Sequence, residues 1–360
     1  MENFSICVKI AVVNHITQEA YIMNKFSSKL SRLCVAVVLV VFLACSPAFS
    51  AEFVLRFGAT VTDDSASGIS MTDFFKPFVE EHSNGRISVE VHLNSVLGGD
   101  RQLYESLQLN TVQGNFGPLS VLANFDPNFS VVDAPFLFRN RETAFAALDG
   151  EFGAMLAANL PNVGMRLLGY GENAFRNIAN NTRPITTLED MSGLMIRVME
   201  APVYIEMMHA LGANPTPMAF GELYTALQQG VVDGHDVGVG LTYTARLHEV
   251  IRFYTFTEHC FAANAYVFSE EFLQSLPDYL VTVIEEGTRY ALYHQRRLNA
   301  EQDAEFLERI KESGVQVNWL SDEERARWQE ATAGVLDTLE GIVSPEILEA
   351  ARRVNEVYGN

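Results

Sequence analysis

From residue 51 onward, hydrophobic and polar positions switch repeatedly between a period of two and a helical period. Residues 53–59 (FVLRFGA) and 87–93 (ISVEVHL) alternate apolar and polar side chains and predict strands. Between them, residues 70–82 set Phe74, Phe75, Phe78 and Val79 on one face of a predicted helix, ended by Ser83-Asn84-Gly85. Gly98-Gly99-Asp100 opens a helix over 101–109, with Asp100 as its expected N-cap. A strand–helix–strand order of this kind predicts an α/β layer with parallel pairing.

The pattern recurs downstream. Residues 165–170 read as a strand. Residues 187–191 read as a short helical turn capped by Thr186 or Thr187, and 194–198 (LMIRV) as a strand after the break at Gly193. Residues 201–211 carry Tyr204, Met207, Met208 and Leu211 on one helical face and stop at Gly212. Pro215 and Pro217 mark a loop, 221–229 a helix ended by Gly230, and 231–234 a strand edge and turn. Residues 276–359 are helix-rich, with Glu/Arg pairs at i,i+3 and i,i+4 that read as solvated scaffold. No repeat or Pro/Gly/Ser-rich linker interrupts residues 51–360, so two domains in 360 residues would exchange the chain more than once.

The first fifty residues follow a different logic. Residues 33–45 (LCVAVVLVVFLAC) hold thirteen uncharged positions, short of the roughly twenty that span a bilayer. Lys25, Lys29 and Arg32 precede this run and Ala48-Phe49-Ser50 follows it, which predicts a secretory leader cleaved after Ser50. Met23 offers an alternative start. Three of the four cysteines, Cys7, Cys34 and Cys45, fall in this segment. Cys260 alone remains, which excludes an internal disulfide or a cysteine metal cluster and reads as a small buried apolar residue. An exported, periplasmic protein is the expectation.

Composition narrows the partners. With 25 Lys+Arg against 45 Asp+Glu the chain carries a net charge of −20. That argues against nucleic-acid binding, which relies on cations neutralising phosphates. No G-x-S-x-G, H-E-x-x-H, P-loop or G-x-G-x-x-G occurs, so no catalytic motif, metal site or cofactor is expected and an enzyme is disfavoured. His235-Asp236 and His248-Glu249 match no defensible ligand spacing. Arg197 is the anomaly: it sits in an otherwise apolar strand, and a guanidinium there needs acceptors. Its planar fork suits bidentate capture of a carboxylate, either an internal Asp/Glu or a ligand.

Several short motifs, in order, carry a resemblance. They include Leu55-Arg56-Phe57-Gly58, Asn84-Gly85-Arg86-Ile87, Leu97-Gly98-Gly99-Asp100-Arg101 and Asp133-Ala134-Pro135-Phe136-Leu137-Phe138. Thr182-Arg183-Pro184, Gly193-Leu194-Met195-Ile196-Arg197-Val198, Pro215-Thr216-Pro217-Met218-Ala219-Phe220 and Gln229-Gly230-Val231-Val232-Asp233-Gly234 continue it. Over essentially all of residues 51–360 the chain resembles the DctP-type substrate-binding proteins of tripartite ATP-independent periplasmic (TRAP) transporters.

The resemblance implies an α/β fold of two lobes, a ligand cleft between them, crossing strands and a long bracing helix. The lobes would comprise 51–174 with about 263–302, and 175–262 with about 303–360. It implies that Arg197 pairs with a ligand carboxylate, Arg176 gives a second polar contact and Phe220 packs on the ligand. Thr60 and Asp100 would line the cleft. Partners would be a small carboxylate and the transporter's membrane subunits, with the binding protein a monomer. A periplasmic module serving a signalling receptor would share this pocket.

Two departures bear on the ligand. Val237 stands where an Asn often bonds it, and Pro118 stands near an acidic position of sugar-acid binders. A buried hydroxyl without a partner costs about 1–3 kcal/mol. An apolar or aromatic body is therefore expected, as in an aryl or branched 2-oxo acid or an aromatic amino acid. Phe116, Phe220, Tyr243 and Tyr266 are candidate walls, and Asp236 or His235 could meet an amino or ring N–H group.

Overall fold

The computed structural model describes residues 51–359, so the secretory leader read in residues 1–50 lies outside the described residues. Two sheets organise the chain. The first contains β1 (Phe53–Gly58), β2 (Ile87–His92), β3 (Gly114–Pro118), β4 (Met165–Phe175) and β10 (Phe261–Ser269), in the order β2-β1-β3-β10-β4. The second contains β5 (Ile178–Asn180), β6 (Met195–Val198), β7 (Asn214–Pro217), β8 (Gly234–Asp236), β9 (Phe253–Phe256) and β11 (Gln316–Trp319), in the order β11-β9-β5-β8-β6-β7. Within each sheet the βαβ crossovers pair in parallel, while β10 and β5 run antiparallel to their neighbours.

Alternation along each strand explains how each lobe is filled. Every residue of β10 is buried. Its Ala263, Ala265 and Val267 join one core cluster, and Tyr266 and Phe268 join another, so one strand serves two faces of the sheet. The aromatic face packs densely: Phe57 lies 5.1 Å from Phe75 and 5.2 Å from Tyr266 between ring centroids. Buried side chains of this size contribute about 1.5–3 kcal/mol each. In the second sheet, Ile178, Ile196 and Val198 face one cluster and Ala179 and Tyr254 the other. The expected helix at 70–82 is longer than its periodicity suggested. Ala66–Ile69, the π-helical Ser70–Phe75 and Lys76–His82 run on as one helix, α1, whose start is capped by Ser65. Further helices that matter below are α2 (Asp100–Gln108), α3 (Pro202–Ala210) and α4 (Val239–Thr244).

The chain crosses between the sheets where β4 passes into β5 and again where β9 passes into β10. The two crossings touch, because the Arg176 amide donates to the Cys260 carbonyl at 2.9 Å. The third crossing is α5 (Asp278–Glu312), a helix of 35 residues. Its Leu280, Ile284 and Ala291 fill the first sheet's aromatic cluster, and its Ile310 fills the second sheet's. Two expectations are corrected. The segment with Pro215 and Pro217 is not a loop but the edge strand β7. Asn214 and Met218 donate to Leu194 and Val198, while the two prolines fall at alternate positions where no donor is needed. The second correction is to the lobe boundary: Leu339, Val343, Ile347, Leu348, Ala351 and Val354 pack into the cluster around Phe129 and Phe152 of the first lobe, not into the second. The chain therefore crosses a fourth time after Val335.

Candidate functional site

The carboxyl ends of β1, β3, β6 and β8 face one another across the gap between the sheets, the position where open α/β sheets bind ligands. A narrow cavity of about 20 Å³ lies there. The first lobe contributes Thr60 and Val61 after β1, Asp100 at the start of α2, Phe116 and Pro118 of β3, Asn173 of β4 and Asn264 of β10. The second lobe contributes Arg176, Arg197 of β6, Met199, Phe220, Val237 and Leu241 of α4.

Two arginines meet in this space, and their circumstances differ. Arg176 and Arg197 are each 2 % exposed. Arg176 donates through Nε to Oδ2 of Asp236 at 3.0 Å and through Nη2 to Oδ1 at 2.9 Å. Its guanidinium also lies over the Tyr204 ring of α3, 5.0 Å from the centroid. Burial works against both charges of the pair, yet each holds the other. Asp236 stays ionised, with its pKa down at about 2, and that of Arg176 lies above its ordinary value. Arg197 has no such partner. Its Nε and Nη2 both donate to the Met218 carbonyl, at 2.9 and 2.6 Å, and no carboxylate lies within salt-bridge distance among the described residues. Burial, with Arg176 adding repulsion against the pull of Asp236 and Asp100, brings its pKa down to about 10. Phe220 covers it, with the guanidinium carbon 5.8 Å from the ring centroid.

Asp100 is the cavity's acid. It is not the N-cap expected of it; Gly99 takes that place and Asp100 opens the helix. Its Oδ1 accepts from Thr60 Oγ1 at 2.9 Å, and burial raises its pKa to about 6 despite that bond and the nearby Arg197.

The remaining candidates separate cleanly. Thr60, Asp100, Pro118, Arg176, Arg197, Phe220 and Val237 line the cavity, as does Phe116. Asp236 lies behind Arg176, with both oxygens occupied, so it is not free to meet an amino group. Tyr243 is elsewhere, stacked on Phe306 at 4.8 Å and on His248 at 4.9 Å. Tyr266 belongs to the aromatic core of the first lobe, with its hydroxyl 3.2 Å from Ser70 Oγ. His235 is fully buried with neither ring nitrogen bonded, and burial takes its pKa down to about 3, so it is neutral. Asn173, Asn264, Met199, Val61 and Leu241 line the cavity without having been singled out. Asn264 was accessible to the argument used for Arg197, being a lone amide in the apolar strand FAANAYVFS.

Two α/β lobes, crossed by paired strands and a long helix, enclose a cavity with an unpaired buried cation. That arrangement defines the class of two-lobed extracytoplasmic solute-binding proteins. A family model described as bacterial extracellular solute-binding protein, family 7 (DctP), matches residues 57–341, and the chain belongs to that family. It is thus a binding protein of the TRAP type, not an enzyme.

The relatives agree. The chain is 32 % identical over 313 residues to the C4-dicarboxylate-binding periplasmic protein DctP of Rhodobacter capsulatus, covering 85 % of this chain and 92 % of that one. The crystal structure of the sugar acid binding protein DctPAm from Advenella mimigardefordensis, in complex with galactonate, superposes with a TM-score of 0.80. Identity there is 32 %, with 84 % of this chain and 98 % of that one covered. A TRAP periplasmic solute-binding protein of Shewanella oneidensis with bound succinate gives a TM-score of 0.81 at 30 % identity, covering 85 % of this chain and all of that one.

Proposed function

We propose that the protein captures a small organic acid in this cavity, with the ligand carboxylate on Arg197, and delivers it to the membrane subunits of a TRAP transporter. The observation that carries this reading is the solitary Arg197. A buried guanidinium with only a carbonyl to bond is costly to keep unless an anion completes it. Relatives that bind galactonate and succinate support an acid as the ligand class. Exported to the periplasm by its leader, the protein works as a monomer whose lobes close on the ligand by hinge motion at the crossing strands. Closure excludes water, and the falling dielectric strengthens the Arg197 pair.

The body of the ligand follows from the walls. Phe116, Pro118, Met199, Phe220 and Val237 offer apolar surface, and Val237 and Pro118 supply no side-chain donor. A branched or aryl acid suits them better than a polyol. Asp100 offers an acceptor near Arg197, which favours a hydroxyl or amino group over an oxo oxygen on the adjoining carbon. A thermal-shift panel of branched and aryl acids and sugar acids tests the reading. At one hundred times its dissociation constant a true ligand stabilises by about 2.7 kcal/mol. A panel in which sugar acids alone respond rejects the apolar body, and a full response in Arg197→Ala rejects the assigned anchor.

A further inference from the structure

At the rim of the arginine cavity the two lobes meet along a seam. After β2 the first lobe turns through Asn94, Ser95 and Gly98, at φ of 56°, 59° and 113°. Left-handed backbone is costly for Asn94 and Ser95. Their amides anchor the turn to the end of β1, donating to the carbonyls of Val61 and Ala59 at 2.9 and 3.3 Å. The turn stands against the segment that follows β7 in the second lobe. A Cβ placed on Gly99 would lie 3.2 Å from the Ala219 Cβ. One placed on Gly221 would lie 3.2 Å from Ser95 Oγ and 3.4 Å from Ser95 Cβ. Asn124 Nδ2 adds a bond across the gap, donating to the Glu200 carbonyl at 3.0 Å.

Neither glycine is required by its own backbone. Gly99 has a φ of −75°, and Gly221 is not among the glycines of positive φ. Gly99 does have a local use as the N-cap of α2, where glycine is well accepted. Gly221 has none: alanine would suit its turn and lose less chain entropy on folding. What alanine would not suit is Ser95. Seam and cavity residues also interleave along the chain. Gly99 precedes Asp100, Glu200 follows Met199, and Ala219 and Gly221 flank Phe220. Outside the seam lies an open hollow of about 510 Å³ that Gly99, Glu200, Ala219 and Gly221 help to line. One layer of chain therefore separates the enclosed cavity from this hollow.

We infer that Gly221 against Ser95 and Gly99 against Ala219 are the contacts on which the lobes come to rest when the cleft closes, and that the bare Gly221 governs how long a bound acid is held. The inference rests on the proposed carboxylate site and its closure, and adds the residues that control release. Both chain neighbours of Phe220 bear on the first lobe, so the seam seats its ring over Arg197. Bulk at position 221 props the lobes apart at this lip, lifts Phe220 and admits water to the Arg197 pair. Gly221 acts through Phe220 and is a positioning residue.

The test pairs a wedge with a lock. Stopped-flow displacement follows the tightest binder among 3-phenyllactate, 2-hydroxyisocaproate, succinate and galactonate. Gly221→Val should speed release about tenfold, the range of one overpacked contact, with association little changed. Gly221→Ala should also release faster than wild type. Adding Ser95→Gly to Gly221→Ala removes the atoms the new methyl meets and should restore the rate. The lock is Gly221→Cys with Ser95→Cys, oxidised by glutathione disulfide and read by mass spectrometry. Its Cβ separation of 3.4 Å falls just under the roughly 3.5–4.5 Å of a disulfide, so a slight relaxation seats the bond. The oxidised pair should neither take up nor release acid on the timescale of its reduced form. A wild-type release rate in Gly221→Val, a fast rate in Gly221→Ala that Ser95→Gly leaves unrestored, or equal exchange in oxidised and reduced pairs would each overturn the seam. If acids bind and the pair does not crosslink, only the seam falls. If none of the four binds the wild type, the carboxylate site falls and the seam's role with it.

Discussion

Asp236 accepts both of its hydrogen bonds from Arg176, at 3.0 and 2.9 Å, and so leaves Arg197 as the cation without an acid. The two arginines share one cavity, yet one is structural ballast and the other is open to an anion. Opposite effects on stability follow for substitutions in the two.

Asp236→Asn should be severely destabilising. It strands the Arg176 guanidinium, 2 % exposed, without a counter-ion. Breaking a buried pair from one side costs about 3–5 kcal/mol. Urea denaturation of the ligand-free protein reads this directly, and a loss below about 1 kcal/mol would mean that water or another acid replaces Asp236.

Arg197→Met should leave the ligand-free protein as stable as the wild type or slightly more so. The substitution removes a charge that burial and Arg176 both oppose. Ligand binding should nonetheless weaken by at least about 1.5–3 kcal/mol, the value of hydrogen bonds to a charged group. The paired readouts are the melting temperature without ligand and calorimetric titration with it. A fall in ligand-free stability matching that of Asp236→Asn would show that Arg197 has an internal role instead.

His235→Phe should reduce sensitivity to acid. Burial, against the pull of Asp236 and with Arg197 and Arg176 repelling, takes the His235 pKa from 6.5 to about 3. The unfolded chain therefore binds a proton below pH 6.5 that the folded chain refuses. Stability from this group is complete above pH 6.5 and drains away as pH falls towards 3. By pH 4 the variant should have lost about 3 kcal/mol less than the wild type, at 1.36 kcal/mol for each unit of pKa difference. Parallel losses in the two proteins between pH 7 and pH 4 would refute the buried neutral state.

Tyr204→Phe probes the contact between lobes. The Tyr204 hydroxyl, on α3 in the second lobe, donates to Asp133 Oδ2 in the first at 2.5 Å. Burial already raises the Asp133 pKa to about 6. Removing the hydroxyl leaves that acid without its donor across the gap and should cost about 1.5–3 kcal/mol. If the bond forms only when the lobes meet, ligand dissociation should accelerate, which stopped-flow release measures; an unchanged release rate would place the bond outside the closing motion.

Much of this was written into the local sequence, and the exceptions share a cause. Strands at 53–59, 87–93 and 194–198 were legible because a pleated strand repeats every two residues. Arg197 was conspicuous because a guanidinium in LMIRV has no apolar rationale. The Arg176–Asp236 pair was not, since sixty positions separate its members and nothing local marks them as partners. Tyr243 looked like a wall because aromatic residues serve walls and cores equally, and only the path of α5 delivers Phe306 to its face. The prolines of β7 were misread as a loop because the sequence does not say which strand lies at an edge.

The fourth crossing has a practical consequence. Because residues 339–354 pack in the first lobe, a dye at Glu52 and a dye at Tyr358 ride on one rigid body. Their separation should stay constant through any bending between the lobes, so energy transfer between them is silent. A dye on exposed Trp319, in the edge strand β11, paired with one at Glu52 spans the two bodies instead. The same geometry lets the molecule be tethered to a sensor surface through its last helix with the second lobe left free to swing.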